Sequence, residues 1–94
     1  MNLYLLEQSV NTGYDTYDSA IVAAPNEFEA KRISPNPEFY AWSSTHNSWL
    51  FMYLVPEPEE MDSWARPVDI TATYIGKAAE GMQSGLVLAS FNAG

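Results

Sequence analysis

The stretch that decides the fold is Tyr17-Asp18-Ser19-Ala20-Ile21-Val22-Ala23-Ala24-Pro25-Asn26-Glu27-Phe28-Glu29-Ala30-Lys31-Arg32-Ile33. It contains a strand, a break and a helix start in immediate succession. Residues 17–24 are apolar and β-branched at their centre, Ile21 and Val22, and Pro25 ends them, which reads as a strand. Asn26-Glu27-Phe28-Glu29 is a variant of the capping box. The Asn26 side chain can accept from the amide of the third helical residue, and Glu29 can reach back to the amide of Asn26. Glu27 and Glu29 fall where the helix dipole favours negative charge, and Lys31 and Arg32 fall where it favours positive charge. Pro35 stops the run, so the spacing predicts a two-turn helix over 26–33. Phe28, Ala30 and Ile33 are its expected buried contacts. A helix this short does not stand alone in water and must dock on a sheet.

Outward from this stretch, residues 2–8, Asn-Leu-Tyr-Leu-Leu-Glu-Gln, form a short apolar run with an aromatic and read as a strand. Ser9 to Thr16 is polar, contains Gly13, and reads as a loop. Towards the other end, 70–75 alternates Thr71 and Thr73 with Ile70, Ala72 and Tyr74, and 85–91 is a further apolar run. Both read as strands. The three glycines between them, Gly76, Gly81 and Gly85, predict a long hairpin loop. Residues 34–69 form an irregular aromatic and acidic insert, broken by Pro35, Pro37, Pro56, Pro58 and Pro67. Ser43 to Ser48 is a polar loop, 49–55 is an optional fifth strand, and Pro58 to Trp64 suits one acidic helical turn with a proline near its start. The expected fold class is α+β: an antiparallel or mixed sheet of four to five strands with one short helix, in the order ββα-insert-ββ, as a single domain over 1–94.

Composition narrows the function. The 94 residues are 47% apolar and 17% charged, with six Tyr, four Phe and three Trp, which is a globular balance rather than a disordered one. There is no cysteine, so disulfides, thiolate metal sites and thiol catalysis are excluded. The opening Met1-Asn2-Leu3-Tyr4 has neither the basic region nor the apolar run of a signal peptide. The longest apolar run, 49–55, is far short of the roughly 20 residues that span a bilayer. Twelve acids against four bases give a net charge of −8. Such a surface repels phosphate backbones and suits a basic protein surface, although acidity also serves solubility alone.

Catalytic and metal signals are weak. His46 is the only histidine, and Ser43, Ser44, Thr45 and Ser48 lie near it, but no nucleophile-elbow motif surrounds them. Asp15 and Asp18, three apart, and the dense acids after Glu57 do not match a calcium loop. Gly76, Gly81 and Gly85 lack the Lys-Ser/Thr ending of a phosphate loop. No catalytic residue, cofactor or metal is therefore assigned, and the chain reads as a non-enzyme. The densest constellation is Glu57-Pro58-Glu59-Glu60-Met61-Asp62-Ser63-Trp64, with four carboxylates in six residues beside a tryptophan. As a partner-binding site, Glu57, Glu59, Glu60 and Asp62 would mimic spaced phosphates while Trp64 anchors. As plain structure it is a solvated turn whose Met61 and Trp64 tuck into the core. The aromatic pieces 39–42 and 49–53 either complete the core of a thinly covered sheet or form a homodimer interface, with core completion the favoured reading.

Several segments carry a resemblance: Tyr4-Leu5-Leu6-Glu7-Gln8, Gly13-Tyr14-Asp15-Thr16-Tyr17-Asp18-Ser19-Ala20, Glu29-Ala30-Lys31-Arg32-Ile33, Tyr74-Ile75-Gly76 and Leu88-Ala89-Ser90-Phe91-Asn92-Ala93-Gly94. Together they resemble a family of small phage and prophage proteins with no assigned activity. The match covers about half the chain, at both ends, and leaves out 34–66. It implies a setting, the cytoplasm of an infected bacterial host, and carries over no mechanism. Joined to the acidity, it gives the expected function: a small acidic binding protein that inhibits a host defence protein with a basic surface, by contact or by nucleic-acid mimicry, without binding nucleic acid or membrane itself. Two alternatives stand beside it. One is an oligomeric binder of a nucleotide signal, stacking it on Trp42, Trp49 or Tyr53 with Arg32 or Arg66 on the phosphates. The other is a structural or accessory phage protein.

Overall fold

The computed structural model describes residues 1–52 and 63–92. It contains β1 (Asn2–Glu7), β2 (Thr16–Ala24), the helix α1 (Glu27–Ala30), β3 (Tyr40–Ser43), β4 (Ser48–Phe51), a 3-10 turn at Pro67–Asp69, β5 (Thr71–Lys77) and β6 (Gly85–Asn92). This is an α+β fold. Four strands form an antiparallel sheet in the order β5-β1-β2-β6, and β3 and β4 pair as a separate two-stranded sheet.

Alternation along the strands sorts the main sheet into two faces. One carries the rows Ala72–Leu6–Ala20–Ala89 and Tyr74–Tyr4–Val22–Leu86, read across β5, β1, β2 and β6. Leu6, Val22, Ala20 and Tyr4 of these rows are buried, and they join Ala24, Ala30, Trp49, Trp64, Ala65 and Ile70 in one core. The small residues of β2 let that layer approach closely: α1 lays Ala30, fully buried, over β1, β2 and β5.

The helix is shorter than the spacing predicts. The Asn26 side chain accepts from the Glu29 amide at 2.9 Å, as the capping pattern requires. No bond from the Glu29 carboxylate back to Asn26 forms among the described residues. After Ala30 the bonding tightens to three-residue steps, with the Arg32 amide on the Glu29 carbonyl and the Ile33 amide on that of Ala30, and Lys31 to Ile33 form a turn. Residues 31–34 are long enough for a second turn before Pro35, but they take these tighter steps, and a residue before proline is disfavoured in the α conformation. Phe28 is not a core contact. It is 62% exposed, and the Arg32 guanidinium lies 3.6 Å from its ring centroid while donating to the Phe28 carbonyl.

Two further expectations change. Residues 48–51 do not add a fifth strand to the main sheet. They pair with Tyr40–Ser43 in a hairpin turned at 44–47, where Asn47 takes a positive φ of 53° that asparagine tolerates well. The 49–55 strand expected there therefore ends at Phe51, and its last residues, like most of the turn expected from Pro58, lie outside the described residues. The hairpin packs inward. Trp49 is buried, its indole N–H donates to the Ala65 carbonyl at 2.7 Å, and Trp42 meets it edge to face at 5.3 Å. Tyr40 and Trp42 flank the same core, so the aromatic pieces serve as the missing apolar layer.

The segment from Gly76 to Gly85 is not a hairpin. β5 and β6 sit on opposite edges, and the chain between them crosses the end of the sheet, where the Ala78 amide bonds to the Met1 carbonyl and the Ser84 hydroxyl to that of Ala23. Gly81, at φ 85°, makes the turn within this crossing.

Candidate functional site

The other face of the main sheet carries three rows. The central one is Thr73–Leu5–Ile21–Leu88, flanked by Thr71–Glu7–Ser19–Ser90 on one side and Gly76–Leu3–Ala23–Gly85 on the other. Leu88 is 63% exposed, and Leu3, Leu5 and Ile21 are partly so. Leu5, Ser19, Ile21, Leu88 and Ser90 line a shallow groove of about 320 Å³ with an apolar floor. Ile75 and Val87, the extra residues at register shifts in β5 and β6, are also about half exposed.

Charge is kept off this face. Of its three rows only Glu7 is ionisable, and it stands at an end. The remaining described acids, Asp15, Asp18, Glu27, Glu29, Glu38, Asp69 and Glu80, are all exposed and lie outside the three rows. An apolar, partly exposed centre that carries no charge suits the core of an interface.

Of the partner-binding residues singled out from the sequence, only Trp64 is described. Glu57, Glu59, Glu60 and Asp62 lie outside the described residues. Trp64 is 1% exposed and belongs to the core, so its ring is a packing element rather than a surface anchor. The segment it starts is tied down locally: the Tyr17 amide bonds to the Ser63 carbonyl, and the Asn11 side-chain amide to that of Trp64. The Trp64 indole N–H is itself buried without an acceptor among the described residues. Trp49, offered as a stacking platform, is buried likewise, and Trp42 is packed against it.

His46 sits in the exposed β3–β4 turn. Its Nδ1 is 3.0 Å from the Ser43 hydroxyl, which also accepts from the His46 amide at 3.2 Å. That is the bonding of a serine-capped turn, and no carboxylate orients the ring among the described residues. No group of three or more metal-ligating side chains gathers among the described residues either. A second concavity, of about 350 Å³, lies between α1 and the 3-10 turn, lined by Glu27, Phe28, Lys31, Arg32, Pro67 and Val68. It holds two of the four basic residues of the chain. Tyr17 has its phenol pKa raised, first by burial and then by Tyr40 nearby, while its ring packs edge to face on Phe91 at 4.8 Å.

The open face escapes a motif search because its residues come from four strands, and none of those strands carries a chemical signature. Its only sequence signal is the apolar character of both phases of β1, where Leu3 and Leu5 alternate with Tyr4 and Leu6. No helix of the described residues is long and apolar enough to cross a membrane. No protein-family model matches the chain, and neither a curated protein nor a solved structure does so significantly.

Proposed function

We propose that this is a binding protein that docks the open face of its main sheet on another protein, with the net charge of −8 favouring a partner whose contact surface is basic. The observation that supports this best is the row Thr73–Leu5–Ile21–Leu88, partly exposed and uncharged. Apolar burial at the centre supplies affinity, and complementary charge at the rim speeds encounter and rejects acidic competitors. The phage-like ends support a host protein as the target and its inhibition as the outcome.

Ile21→Glu and Leu88→Glu test this in quantitative affinity capture from a bacterial host at moderate salt, with circular dichroism to establish that each variant folds. Host proteins retained by the wild type are lost with both variants and kept with Glu38→Gln, a change remote from the face. A capture profile identical in all four proteins would remove the open face as the binding surface.

The groove beside α1 favours a second reading, an anionic small-molecule site, because Lys31 and Arg32 meet an exposed aromatic there. A thermal-shift screen with cyclic and linear nucleotides separates the two: a ligand that binds only the native state raises the melting temperature, and Arg32→Ala abolishes the rise.

A further inference from the structure

The two edges of the main sheet are built differently. β5 ends in Lys77 and is broken by a register shift at Ile75, and both features discourage further pairing. β6 is eight residues long, Gly-Leu-Val-Leu-Ala-Ser-Phe-Asn, with no charge and no proline. Its extra residue, Val87, lies near the start and leaves Leu88 to Phe91 in regular pairing partners along β2 apart from the bulge at Asp18. β2 is its only strand neighbour among the described residues. Val87, Leu88 and Phe91 are each about half exposed or more. A long, uncharged, apolar edge of this kind is a template for another strand.

We infer that β6 pairs antiparallel with β6 of a second copy of this chain, joining two four-stranded sheets into one of eight strands about a two-fold axis. Charge selects the occupant. Two chains of net −8 repel wherever their acids meet, and β6 contains none of the twelve acids. Of the two edges of the main sheet it is the one with no charge of either sign, so identical copies meet along it without opposing like charges, while a basic partner gains nothing from it. A strand that pairs antiparallel with itself is also self-complementary, which a two-fold interface requires. Pairing over the regular run from Leu88 to Phe91 adds about four backbone hydrogen bonds. It also places the two Thr73–Leu5–Ile21–Leu88 rows side by side as one continuous face. The inference does not depend on what docks on that face.

Light scattering on the full chain gives a mass near twice 10.5 kDa, and the dimer tightens as salt is raised from about 0.05 M to about 0.5 M, because salt screens the repulsion between copies. Capture of a basic partner weakens over the same range, so the two interactions are told apart. Val87→Lys and Ser90→Lys return the mass to 10.5 kDa with unchanged circular dichroism. Hydrogen exchange on the wild type covers the case in which these variants fail to fold. The alternate β6 amides that face away from β2 are protected on the order of 100-fold or more if the edge is paired. A monomeric mass at high protein and salt concentration overturns the inference. So does free exchange of those amides, or a dimer that survives both lysines in a folded protein.

Discussion

Trp49 and Trp64 are matched in burial, at 2% and 1% exposed, and opposite in hydrogen bonding. The Trp49 indole donates to the Ala65 carbonyl at 2.7 Å, whereas the Trp64 indole has no acceptor among the described residues. Replacing either by Phe removes the same atoms from the same core, so the cavity penalty is similar, about 1–2 kcal/mol at each site. The polar contributions then pull apart. Trp49→Phe loses a buried bond and strands the Ala65 carbonyl, which adds about 1–3 kcal/mol. Trp64→Phe deletes a donor whose desolvation was uncompensated and recovers about 1 kcal/mol or more. The expected outcome is a loss of about 3 kcal/mol for Trp49→Phe and at most about 1 kcal/mol for Trp64→Phe. In a domain of this size that gap of about 2 kcal/mol separates the melting temperatures by roughly 8–16 °C. Urea unfolding followed by far-UV circular dichroism measures it without relying on the tryptophan signal that each variant changes. Equal losses within about 0.5 kcal/mol, or a larger loss at Trp64, would refute the reasoning and mean that the Trp64 N–H is satisfied in solution.

Asn26→Ala removes the only side-chain cap on α1 and lowers stability by about 1 kcal/mol, readable as a downward shift in melting temperature, whereas Asn26→Asp keeps the acceptor and the stability. Gly81→Ala costs about 1 kcal/mol through backbone strain alone, since φ is 85° and a methyl there meets no atom within 4 Å; denaturant midpoints measure it, and no loss would remove the strain argument. Tyr17 has a raised pKa in the folded chain, so above about pH 10 the unfolded chain loses that proton first and stability falls as pH rises towards the folded value; below pH 10 the group contributes no pH dependence. Ultraviolet titration of the wild type against Tyr17→Phe checks it: the step that the substitution removes lies above pH 10. Arg32→Ala leaves the fold intact and changes stability by less than about 1 kcal/mol, because its stacking on Phe28 is exposed to solvent.

The α1 region shows how far local rules reach. The Asn26 cap and the ends of β2 follow from residues within a few positions of one another, and they stand as the pattern predicts. The length of α1 does not. Capping fixes where a helix starts, but the tightening after Ala30 ends it after a single turn, so Phe28 points to solvent although its spacing suits burial. The hairpin of β3 and β4 was half legible: aromatic enrichment marks Trp49 as apolar structure, but whether 48–51 joins the main sheet or pairs with 40–43 is a choice between partners that propensity does not make.

The surface was less legible than the core. Trp64 stands beside the densest acids in the sequence and reads equally well as anchor or packing, and its burial is settled by contacts with residues far along the chain. The open face could not be found at all, because it depends on which strands neighbour one another.

By itself the sequence determined the apolar runs that become β1, β2, β5 and β6, the start of the helix between them, and a net charge of −8. Period-two alternation also fixes which residues of a strand share a face. Only the tertiary structure decided that β5 and β6 lie on opposite edges, that α1 and the aromatic hairpin cover one face, and that the row Thr73–Leu5–Ile21–Leu88 on the other stays partly exposed. The reason is physical. Strand patterning is written within a few residues, whereas strand order and the covering of a face are set by contacts between segments tens of residues apart, such as Ser84 with Ala23 and Trp64 with Asn11.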